Sequence, residues 1–375
     1  MSHGDHQLGI YLSGMLEGKT PELTTDLAGL EERAREVLSP EALGYIVPSA
    51  GSGSTARDNR AAFDRRKIVP RMLRGVDRER DLSCEILGTR LPAPIAVAPM
   101  GVQTIAHPDG ELATARAAAA VGVPYIHSTA AAHSFEQVAE AADGPRWYQL
   151  YWPTDQDVCR SFLDRAKAAG YTALLLTLDT TLLGWRPADL DRGYLPFLTG
   201  TGLANYLTDP HFQGVDNPIP HWAQMFPNPG LSWDDLPFLR RHWDGPIVLK
   251  GIMSADDAKL AAEHGMDGVV VSNHGGRQVD GALAALDALP AVAEAVGDRL
   301  TVLFDSGVRT GADVVKALAL GARAVLVGRP VLYGLALGGQ AGVEHVLRCL
   351  MGELDITLAL SGYSSQHELS PSALA

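Results

Sequence analysis

The sequence predicts an α/β protein with a TIM (β/α)8 barrel, and two observations support this prediction. From residue 94 onward, short apolar runs typical of buried parallel strands alternate with Ala-rich helical stretches. Eight strands are recognisable over roughly the 250 residues that such a barrel needs. No GxGxxG motif follows the first strand, which disfavours the alternative of an open, doubly wound sheet. The predicted strands are Ile95–Pro99, Tyr125–Ser128, Trp147–Tyr151, Ala173–Leu178, Ile247–Lys250, Val269–Ser272, Val302–Phe304 and Val325–Val327.

A helical segment precedes the predicted barrel. Residues 27–37 have helical spacing, and a second helix begins at Pro40, since Pro is favoured at the first helical position. A loop with a flexible composition, PSAGSGST (48–55), separates these from a polar helix predicted over 56–66. The first residues lack the basic and apolar regions of a secretory signal.

We therefore divide the chain into an N-terminal helical segment (1–90), a (β/α)8 barrel (91–360) and a C-terminal tail (361–375). One connection, after the fourth strand, is too long for an ordinary βα unit. It covers about residues 181–244 and is rich in Pro, Gly and aromatic residues. Long loops in compact domains are often functional, and we predict that this one is a lid over the site.

Composition excludes several functional classes. The formal net charge is −13, which argues against a nucleic-acid-binding surface. No apolar stretch approaches the ~20 residues that span a bilayer. The cysteines (Cys84, Cys159 and Cys349) form no CxxC pair, so we expect reduced thiols in the core and no metal site. A cytoplasmic enzyme without nucleic-acid or membrane partners is predicted.

The candidate active site follows the sixth strand, in the sequence SNHGGRQVD. Barrel enzymes build their sites at the carboxyl ends of the strands, and this end carries a base (His274) and a cation (Arg277). A single His after a strand is more often a structural residue than a catalytic one. Its catalytic role therefore depends on what the other strand ends carry.

The last two strand ends predict a phosphate site. Strand seven is followed by DSGVR, and strand eight by Gly328 and Arg329. Glycine-flanked cations at the start of helices after these two strands are a recurring phosphate site in barrels. The candidate residues in DSGVR are Asp305, Ser306, Gly307 and Arg309.

Other strand ends predict a flat heterocycle beside that phosphate. Ser128, Gln149 and Thr177 are neutral hydrogen-bonding groups at three neighbouring strands, and Lys250 can stabilise negative charge on the ring. Gly101 allows a close approach of the backbone. A phosphorylated heteroaromatic cofactor, FMN, fits this set.

The remaining groups face the substrate in this interpretation. Two arginines, Arg186 and Arg277, point to a carboxylate held by bidentate hydrogen bonds. His274 is the general base, and Tyr45 and Tyr151 are further candidates around the substrate. The substrate class is therefore a 2-hydroxy carboxylate.

These motifs resemble the FMN-dependent L-2-hydroxy acid oxidase and dehydrogenase family. The likeness runs from Tyr45 to the C-terminal helix, and SNHGGRQVDG (272–281), DSGVRTGADVVKALALGA (305–322) and VGRP (327–330) carry it. It implies a catalytic group of three residues. His274 takes the substrate proton, Tyr151 lies near the substrate hydroxyl, and Lys250 lies at the N1–C2 edge of the flavin. It also implies two binding sets. The substrate-binding set is Tyr45, Tyr151, Arg186, His274 and Arg277; the cofactor-binding set is Met100, Gly101, Ser128, Gln149, Thr177, Lys250, Ser272, Asp305, Ser306, Gly307, Arg309, Gly328 and Arg329.

Within this family the long lid, with its GWRP sequence (184–187), is most similar to the lactate 2-monooxygenase branch. That resemblance implies O2 as the electron acceptor and oxidative decarboxylation of the retained keto acid, and the resemblance to the family as a whole implies a tetramer or octamer. Ala130 departs from the large residue usual in the family, so we expect a substrate bulkier than lactate. Alternatives stay open: a plain oxidase releasing H2O2, a dehydrogenase, a non-redox lyase or isomerase, and a barrel that only binds its ligand.

Overall fold

The computed structural model describes residues 2–78 and 80–375, and it contains a closed barrel of eight parallel strands. A two-stranded antiparallel hairpin, β1 (Cys84–Ile86) and β2 (Thr89–Leu91), precedes it. The predicted TIM barrel is therefore confirmed. Its strands are β3 (Ile95–Val97), β4 (Tyr125–Ser128), β5 (Arg146–Leu150), β6 (Leu174–Thr177), β7 (Ile247–Ile252), β8 (Gly268–Val271), β9 (Thr301–Phe304) and β10 (Ala324–Val327).

The predicted strands are the observed ones, with bounds that differ by one or two residues. β3 and β6 end before the predicted Pro99 and Leu178, and Pro99 lies where the chain after β3 begins to line the cavity. β7 continues past the predicted end, with an irregular register between Lys250 and Ile252. Gly251 has φ +107° there, a conformation that L side chains rarely adopt.

Fifteen α-helices lie within the described residues. Those around the barrel include the Ala-rich helices expected from the sequence. Their bounds are α1 (Asp5–Glu17), α2 (Leu30–Arg35), α3 (Pro40–Ile46), α4 (Ser54–Arg65), α5 (Gly110–Val121), α6 (Phe135–Ala141), α7 (Gln156–Ala168), α8 (Pro187–Arg192), α9 (Ala204–Leu207), α10 (Pro218–Met225), α11 (Leu236–His242), α12 (Ala255–Glu263), α13 (Ala285–Val296), α14 (Gly311–Ala319) and α15 (Arg329–Leu360).

The barrel separates two apolar cores. One lies between the strands and the helices, and the other fills the barrel interior with side chains such as Ile126, Val270 and Leu303. The β1–β2 hairpin contributes to this inner core and is tied to it by Trp147, whose Nε1 donates to Thr89 Oγ1 at 3.1 Å. Since β3 begins only a few residues after β2, the hairpin closes the end of the barrel opposite the strand carboxyl ends. Its two strands have three residues each and were not predicted.

The N-terminal segment has one more helix than the sequence predicted. α1 shows little amphipathic pattern and no buried residue, which explains why it escaped prediction. Asp355 of α15 anchors its start by accepting from the Gly4 N–H at 2.6 Å and from Arg80 Nε at 2.6 Å. α4 begins two residues before the predicted Ala56.

The loop predicted as flexible (48–55) is held by hydrogen bonds. Asp280 accepts from the Ser52 main-chain N–H at 2.6 Å and from the Thr55 N–H at 3.2 Å. The Ala50 N–H donates to the Gly276 carbonyl at 2.9 Å. The loop that follows β8 therefore fixes the segment that carries Tyr45.

The predicted lid consists of short helices and 3₁₀ turns between β6 and β7. α8, α9 and α10 form its outer part, while α11 packs against α7 as the barrel's own helix. An aromatic cluster connects the lid to the barrel mouth. Phe197 lies 6.5 Å from Tyr45 and Phe226 lies 5.7 Å from Tyr151, both edge-to-face and measured between ring centroids.

α15 contains a break at Gly338 and Gly339, where the dihedral angles leave the helical region. The part before the break begins directly after β10, at the position of the short extra helix that binds phosphate in other barrels. After the tail's two 3₁₀ turns, the Ala375 and Lys67 main chains pair through hydrogen bonds of 2.8 and 3.0 Å. No helix within the described residues has the length and apolar character to cross a membrane.

Candidate active site

A cavity of about 1160 Å³, including its open mouth, lies at the carboxyl ends of the strands and under the lid. Fourteen of the sequence-predicted site residues line it: Tyr45, Met100, Gly101, Tyr151, Arg186, Lys250, His274, Arg277, Asp305, Ser306, Gly307, Arg309, Gly328 and Arg329. The other four are buried in the barrel wall beneath these: Ser128, Gln149, Thr177 and Ser272.

His274 forms the chemical centre of the cavity through a pair with Asp179. It follows β8 with φ +59°, an unfavourable conformation for a side chain of this size that is typical of functional sites. Its Nδ1 lies 2.7 Å from Asp179 Oδ1, and its main-chain N–H donates to Ser272 Oγ at 3.0 Å. Because Nδ1 donates to the carboxylate, Nε2 carries the lone pair.

The charges around this pair favour a neutral imidazole beside an ionised carboxylate. Burial lowers the pKa of His274; Asp179 opposes this shift, and Lys250 adds to it. Burial alone would raise the pKa of Asp179, but His274 and Lys250 together hold it well below its usual value. His274 can therefore accept a proton at neutral pH, and Asp179 stabilises the imidazolium that results.

Lys250 extends this centre toward the barrel axis. Its Nζ donates to Ser272 Oγ at 3.0 Å and lies 3.4 Å from Asp305 Oδ2 and 3.8 Å from Asp179 Oδ2. Burial works against its charge, yet Asp305 and Asp179 raise its pKa. Lys250 is therefore a permanent buried cation that can still bind a further partner.

The cavity floor contains polar atoms that the protein leaves without partners. Ser128 Oγ donates to Gln149 Oε1 at 2.8 Å, but Gln149 Nε2 and Thr177 Oγ1 have no hydrogen-bond partner within the described part of the chain. Both side chains are buried, at 1% and 5% exposure. Buried polar groups without partners are costly, so these atoms fit a polar ligand edge.

Two arginines converge beside His274 without a close carboxylate. Arg277 Nη1 donates to the main-chain carbonyls of Tyr45 (2.7 Å) and Pro48 (3.0 Å), and it forms no ion pair within residues 2–78 and 80–375. The nearest acidic contact of Arg186 is Asp189, at 3.9 Å. Burial, reinforced by Arg186, lowers the pKa of Arg277 to about 9. An anion bound here would offset that cost.

A second pair of arginines, Arg309 and Arg329, is half-buried and adjoins the first, since Arg329 and Arg277 both donate to the Pro48 carbonyl. Arg329 donates to the carbonyls of Ile46, Gly275 and Pro48 at 3.1–3.2 Å, and Arg309 Nη1 donates to its neighbour Val308. Burial lowers the pKa of both, that of Arg309 to about 10 with a contribution from Arg329. Together with the N-terminus of α15, which Gly328 precedes, they could hold a doubly charged anion.

Ser306 links the loop after β8 to the loop after β9. Its Oγ donates to Asp305 Oδ1 at 2.8 Å and accepts from the main-chain N–H groups of Asn273 (3.2 Å) and Gly275 (3.0 Å). Its φ of +82° is strained for a non-glycine residue. This side chain therefore holds the loops after β8 and β9 in register, which is a second task beside the predicted contact with cofactor.

Ala130 lies where the loop after β4 meets the lid. A Cβ placed on Gly101 would lie 2.5 Å from the Ala130 carbonyl oxygen, so this loop requires glycine at position 101. The Ala130 side chain lines the cavity together with Leu183, Phe197 and Phe226 of the lid. The glycine thus serves the packing of the loop; it also lines the cavity, and the close approach of a ligand there stays a prediction.

Sequence reasoning missed three kinds of site residue. Asp179 was not among the predicted site residues, although its place two residues after β6 was a signal. Gln278 holds Arg186 in place, since its Oε1 accepts from Arg186 Nη2 at 2.9 Å. Phe197 and Phe226 form the apolar roof, and nothing in the lid sequence distinguishes them from its other aromatic residues.

Comparisons with known proteins agree with this geometry. The family described as FMN-dependent dehydrogenase matches residues 34–375. The FMN-dependent alpha-hydroxy acid dehydrogenase qulF of Penicillium citrinum is 48% identical over 96% of this chain and 93% of its own length. An L-lactate oxidase from Lysinibacillus sphaericus is 43% identical, over 90% of this chain and 89% of its own length.

Solved structures give the same result. A crystal structure of mandelate oxidase superposes with a TM-score of 0.84 and 39% identity, covering 94% of this chain and 98% of that one. The match thus includes the barrel and its mouth. This chain therefore belongs to the FMN-dependent dehydrogenase family, and it is an FMN-dependent oxidoreductase that oxidises 2-hydroxy acids.

Proposed function

We propose that this enzyme oxidises an L-2-hydroxy acid bulkier than lactate to the 2-keto acid, with O2 as the electron acceptor. The observation that carries this proposal is the arrangement around His274. A neutral base paired to Asp179 stands beside two arginines, of which Arg277 forms no ion pair within the described residues and Arg186 has only Asp189, at 3.9 Å. The first residue suits removal of a proton, and the arginines suit an anionic substrate.

The residues present fit FMN. Gln149 Nε2 and Thr177 Oγ1 are buried without a partner among residues 2–78 and 80–375, as the polar edge of the isoalloxazine requires, and Lys250 stands beside them as a cation. Arg309 and Arg329 would hold the ribityl phosphate. When bound, the flavin supplies the acceptor for the two electrons that leave the substrate carbon.

The chain's own residues position the substrate and move its proton. Arg186 and Arg277 bind the carboxylate, and Tyr45, whose ring lies 5.0 Å from the Arg277 guanidinium, borders the same place. Burial, with a contribution from Asp179, raises the pKa of Tyr151 to about 12, so its hydroxyl stays protonated and can hydrogen-bond the substrate oxygen. His274 Nε2 takes the proton, and Asp179 stabilises the charge.

The cavity wall supports a substrate with a large side chain. Ala130 leaves room below Phe197 and Phe226, and the surrounding Leu183 and Val102 are apolar. The names of the relatives point to substrates of different size and do not decide how large the substrate of this enzyme is. The structural relative acts on mandelate by its name, while the L-lactate oxidase relative is named for a small substrate.

A second outcome, oxidative decarboxylation, is favoured by the lid. Phe197, Trp222 and Phe226 are at most 9% exposed and pack over the cavity mouth. A closed lid delays release of the keto acid. Peroxide formed from O2 would then attack the retained keto acid, releasing CO2 and water and leaving a carboxylic acid one carbon shorter.

Product analysis under air tests the proposal. The purified enzyme is given L-lactate, L-mandelate and long-chain L-2-hydroxy acids, and keto acid, shortened acid, CO2 and H2O2 are quantified. We expect the bulkier acids to react faster, with O2 consumed. A shortened acid without free peroxide identifies decarboxylation; a keto acid with equimolar peroxide identifies a plain oxidase. Turnover only with an artificial acceptor would contradict the role of O2, and a strong preference for lactate would contradict the substrate size.

We also propose a homo-oligomer, a tetramer or octamer, working in the cytoplasm. Apolar side chains of α1 support the assembly, since Tyr11, Met15 and Leu16 are 60%, 86% and 78% exposed. Light scattering coupled to size exclusion would measure the mass. A monomer at micromolar concentration would contradict the oligomer, and imaging of the tagged protein in its native cell tests the compartment.

A further inference from the structure

Three side chains that suit a transition metal meet far from the cavity. His345 and Cys349 lie one turn apart on α15, and His6 of α1 faces them. Cys349 Sγ is 3.6 Å from His345 Nε2 and 3.9 Å from His6 Nε2. The candidate ligand atoms of all three residues lie within 4.8 Å of one another.

These separations are close to those of a tetrahedral zinc site. With Zn–S of ~2.3 Å and Zn–N of ~2.1 Å, a tetrahedral angle places sulfur and nitrogen about 3.6 Å apart. The two observed sulfur–nitrogen distances are 3.6 and 3.9 Å, so little movement is needed. Cys349 is buried and the two histidines are half-buried, which gives the ion both shelter and a path from solvent.

We propose that His6, His345 and Cys349 bind one divalent transition-metal ion of the zinc class. Two imidazole nitrogens and one thiolate supply three ligands, and water completes the tetrahedron. The thiol of Cys349 gives its proton to solvent as the S–metal bond forms. This proposal departs from the sequence-based prediction of no metal, which relied on the absence of local Cys and His spacing.

One existing contact must change when the ion binds. His345 Nε2 lies 2.9 Å from the Thr24 carbonyl oxygen, so in the metal-free protein this nitrogen carries a proton and donates it there. Ligation through the same nitrogen exchanges that hydrogen bond for the metal, and the segment around Thr24 shifts away. His6 and Cys349 have no comparable competitor within the described residues.

The consequence would be a clamp on the N-terminal helix. α1 buries none of its side chains, and its start is anchored to α15 through the Gly4–Asp355 hydrogen bond. A metal bound by His6 and Cys349 would add a second link between the same two helices. None of the three ligands lines the catalytic cavity, so the clamp would act on α1 and leave flavin chemistry unchanged.

Cobalt is the probe for this site. The untagged holoenzyme is treated with EDTA, exchanged into chelator-free buffer and titrated with Co2+. We expect one Co2+ per chain, with tetrahedral d–d bands beyond the flavin absorption and a thiolate-to-cobalt band, both displaced by Zn2+. Zinc should also slow proteolysis within residues 2–20. The absence of these bands in the wild-type protein would overturn the proposal.

Matched variants assign the ligands. Cys349→Ser and His6→Gln should each weaken Zn2+ binding by about 100-fold or more, because the loss of an outer partner of a metal ligand already costs about 10–100-fold. Cys84→Ser and His3→Gln change the same residue types outside the cluster and should bind as the wild type does. Binding retained in Cys349→Ser would overturn the proposal. If that variant does not fold, the wild-type cobalt spectrum and His6→Gln still decide it.

Discussion

The charged groups around His274, at the centre of the cavity, and the arginines at its rim differ in how their charges are balanced. At the centre, Lys250 is within 3.8 Å of both Asp179 and Asp305, and His274 is hydrogen-bonded to Asp179. At the rim, Arg277 and Arg329 donate to main-chain carbonyls and form no ion pair within the described residues. The protein supplies counter-charges for the groups at the centre, whereas the arginines at the rim gain a counter-charge when an anionic ligand binds.

This difference separates two tasks. Charges that the protein already holds in place around His274 can stabilise the imidazolium that forms when His274 takes a proton, which suits the chemical step. Cations that are desolvated without a counter-charge from the protein contribute the most free energy when an anion binds to them, which suits ligand binding. The centre should therefore govern the rate of the chemical step, and the rim should govern affinity for substrate and cofactor.

The largest expected effect comes from the centre. His274→Ala should slow anaerobic reduction of the flavin by substrate about 10²–10⁴-fold, since the general base is lost. FMN content should stay at the wild-type level because the phosphate arginines are untouched. Stopped-flow absorbance measures both. A normal rate of reduction would refute the assignment of His274.

At the rim, Arg277→Met should act mainly on binding. A buried carboxylate that loses its counter-charge costs about 3–5 kcal/mol, so substrate Kd should rise on the order of 100-fold or more. Arg277→Lys, which keeps the charge but loses the bidentate geometry, is the control and should weaken binding less. An unchanged Kd with a reduced limiting rate would break the division between rim and centre.

The second pair of arginines, Arg309 and Arg329, should govern affinity for the cofactor phosphate. Arg309→Met should weaken FMN binding about 10–100-fold, because a hydrogen bond to a charged group contributes ~1.5–3 kcal/mol. Riboflavin, which lacks the phosphate, should bind equally well to variant and wild type. The exposed Arg323 offers a control, as Arg323→Met should change neither. An equal loss of affinity for FMN and for riboflavin would contradict the role of Arg309 in binding the phosphate.

The smallest expected effect concerns substrate size. Ala130→Leu fills part of the cavity below the lid, and kcat/KM for mandelate relative to lactate should fall about tenfold or more, as one or two methylenes are worth ~1–3 kcal/mol each in such a pocket. Ala132→Leu, outside the cavity lining, is the control. An unchanged ratio would show that Ala130 does not set the size of the substrate.

Much of this site could be predicted because barrel geometry is simple. The residues after β6 to β10 meet at one mouth, so reading the strand ends brought His274, Lys250 and Arg329 together without a structure. Which of these side chains hydrogen-bond to one another could not be predicted from the sequence. Nothing in the spacing of Asp179 and His274 shows that one orients the other, and the same holds for Gln278 and Arg186.

Elements with weak local signals were missed for a related reason. The β1–β2 hairpin has strands of three residues, and α1 buries no side chain, so neither has a pattern that exceeds its surroundings. The loop at 48–55 has a flexible composition, yet Asp280, 228 residues beyond Ser52 in the sequence, holds it. The cluster of His6, His345 and Cys349 likewise exists only after folding.

The pH dependence of anaerobic flavin reduction tests the central claim most directly. Burial lowers the pKa of His274 below 6.5, with Lys250 adding to the shift and Asp179 opposing it. The wild-type rate constant should therefore be level at neutral pH and fall about tenfold per pH unit below that pKa, while substrate Kd stays constant. Asp179→Asn removes the opposing charge, so its fall should begin at lower pH, from a lower plateau. A wild-type rate without an acid limb, or a limb that Asp179→Asn leaves in place or moves to higher pH, would contradict the account.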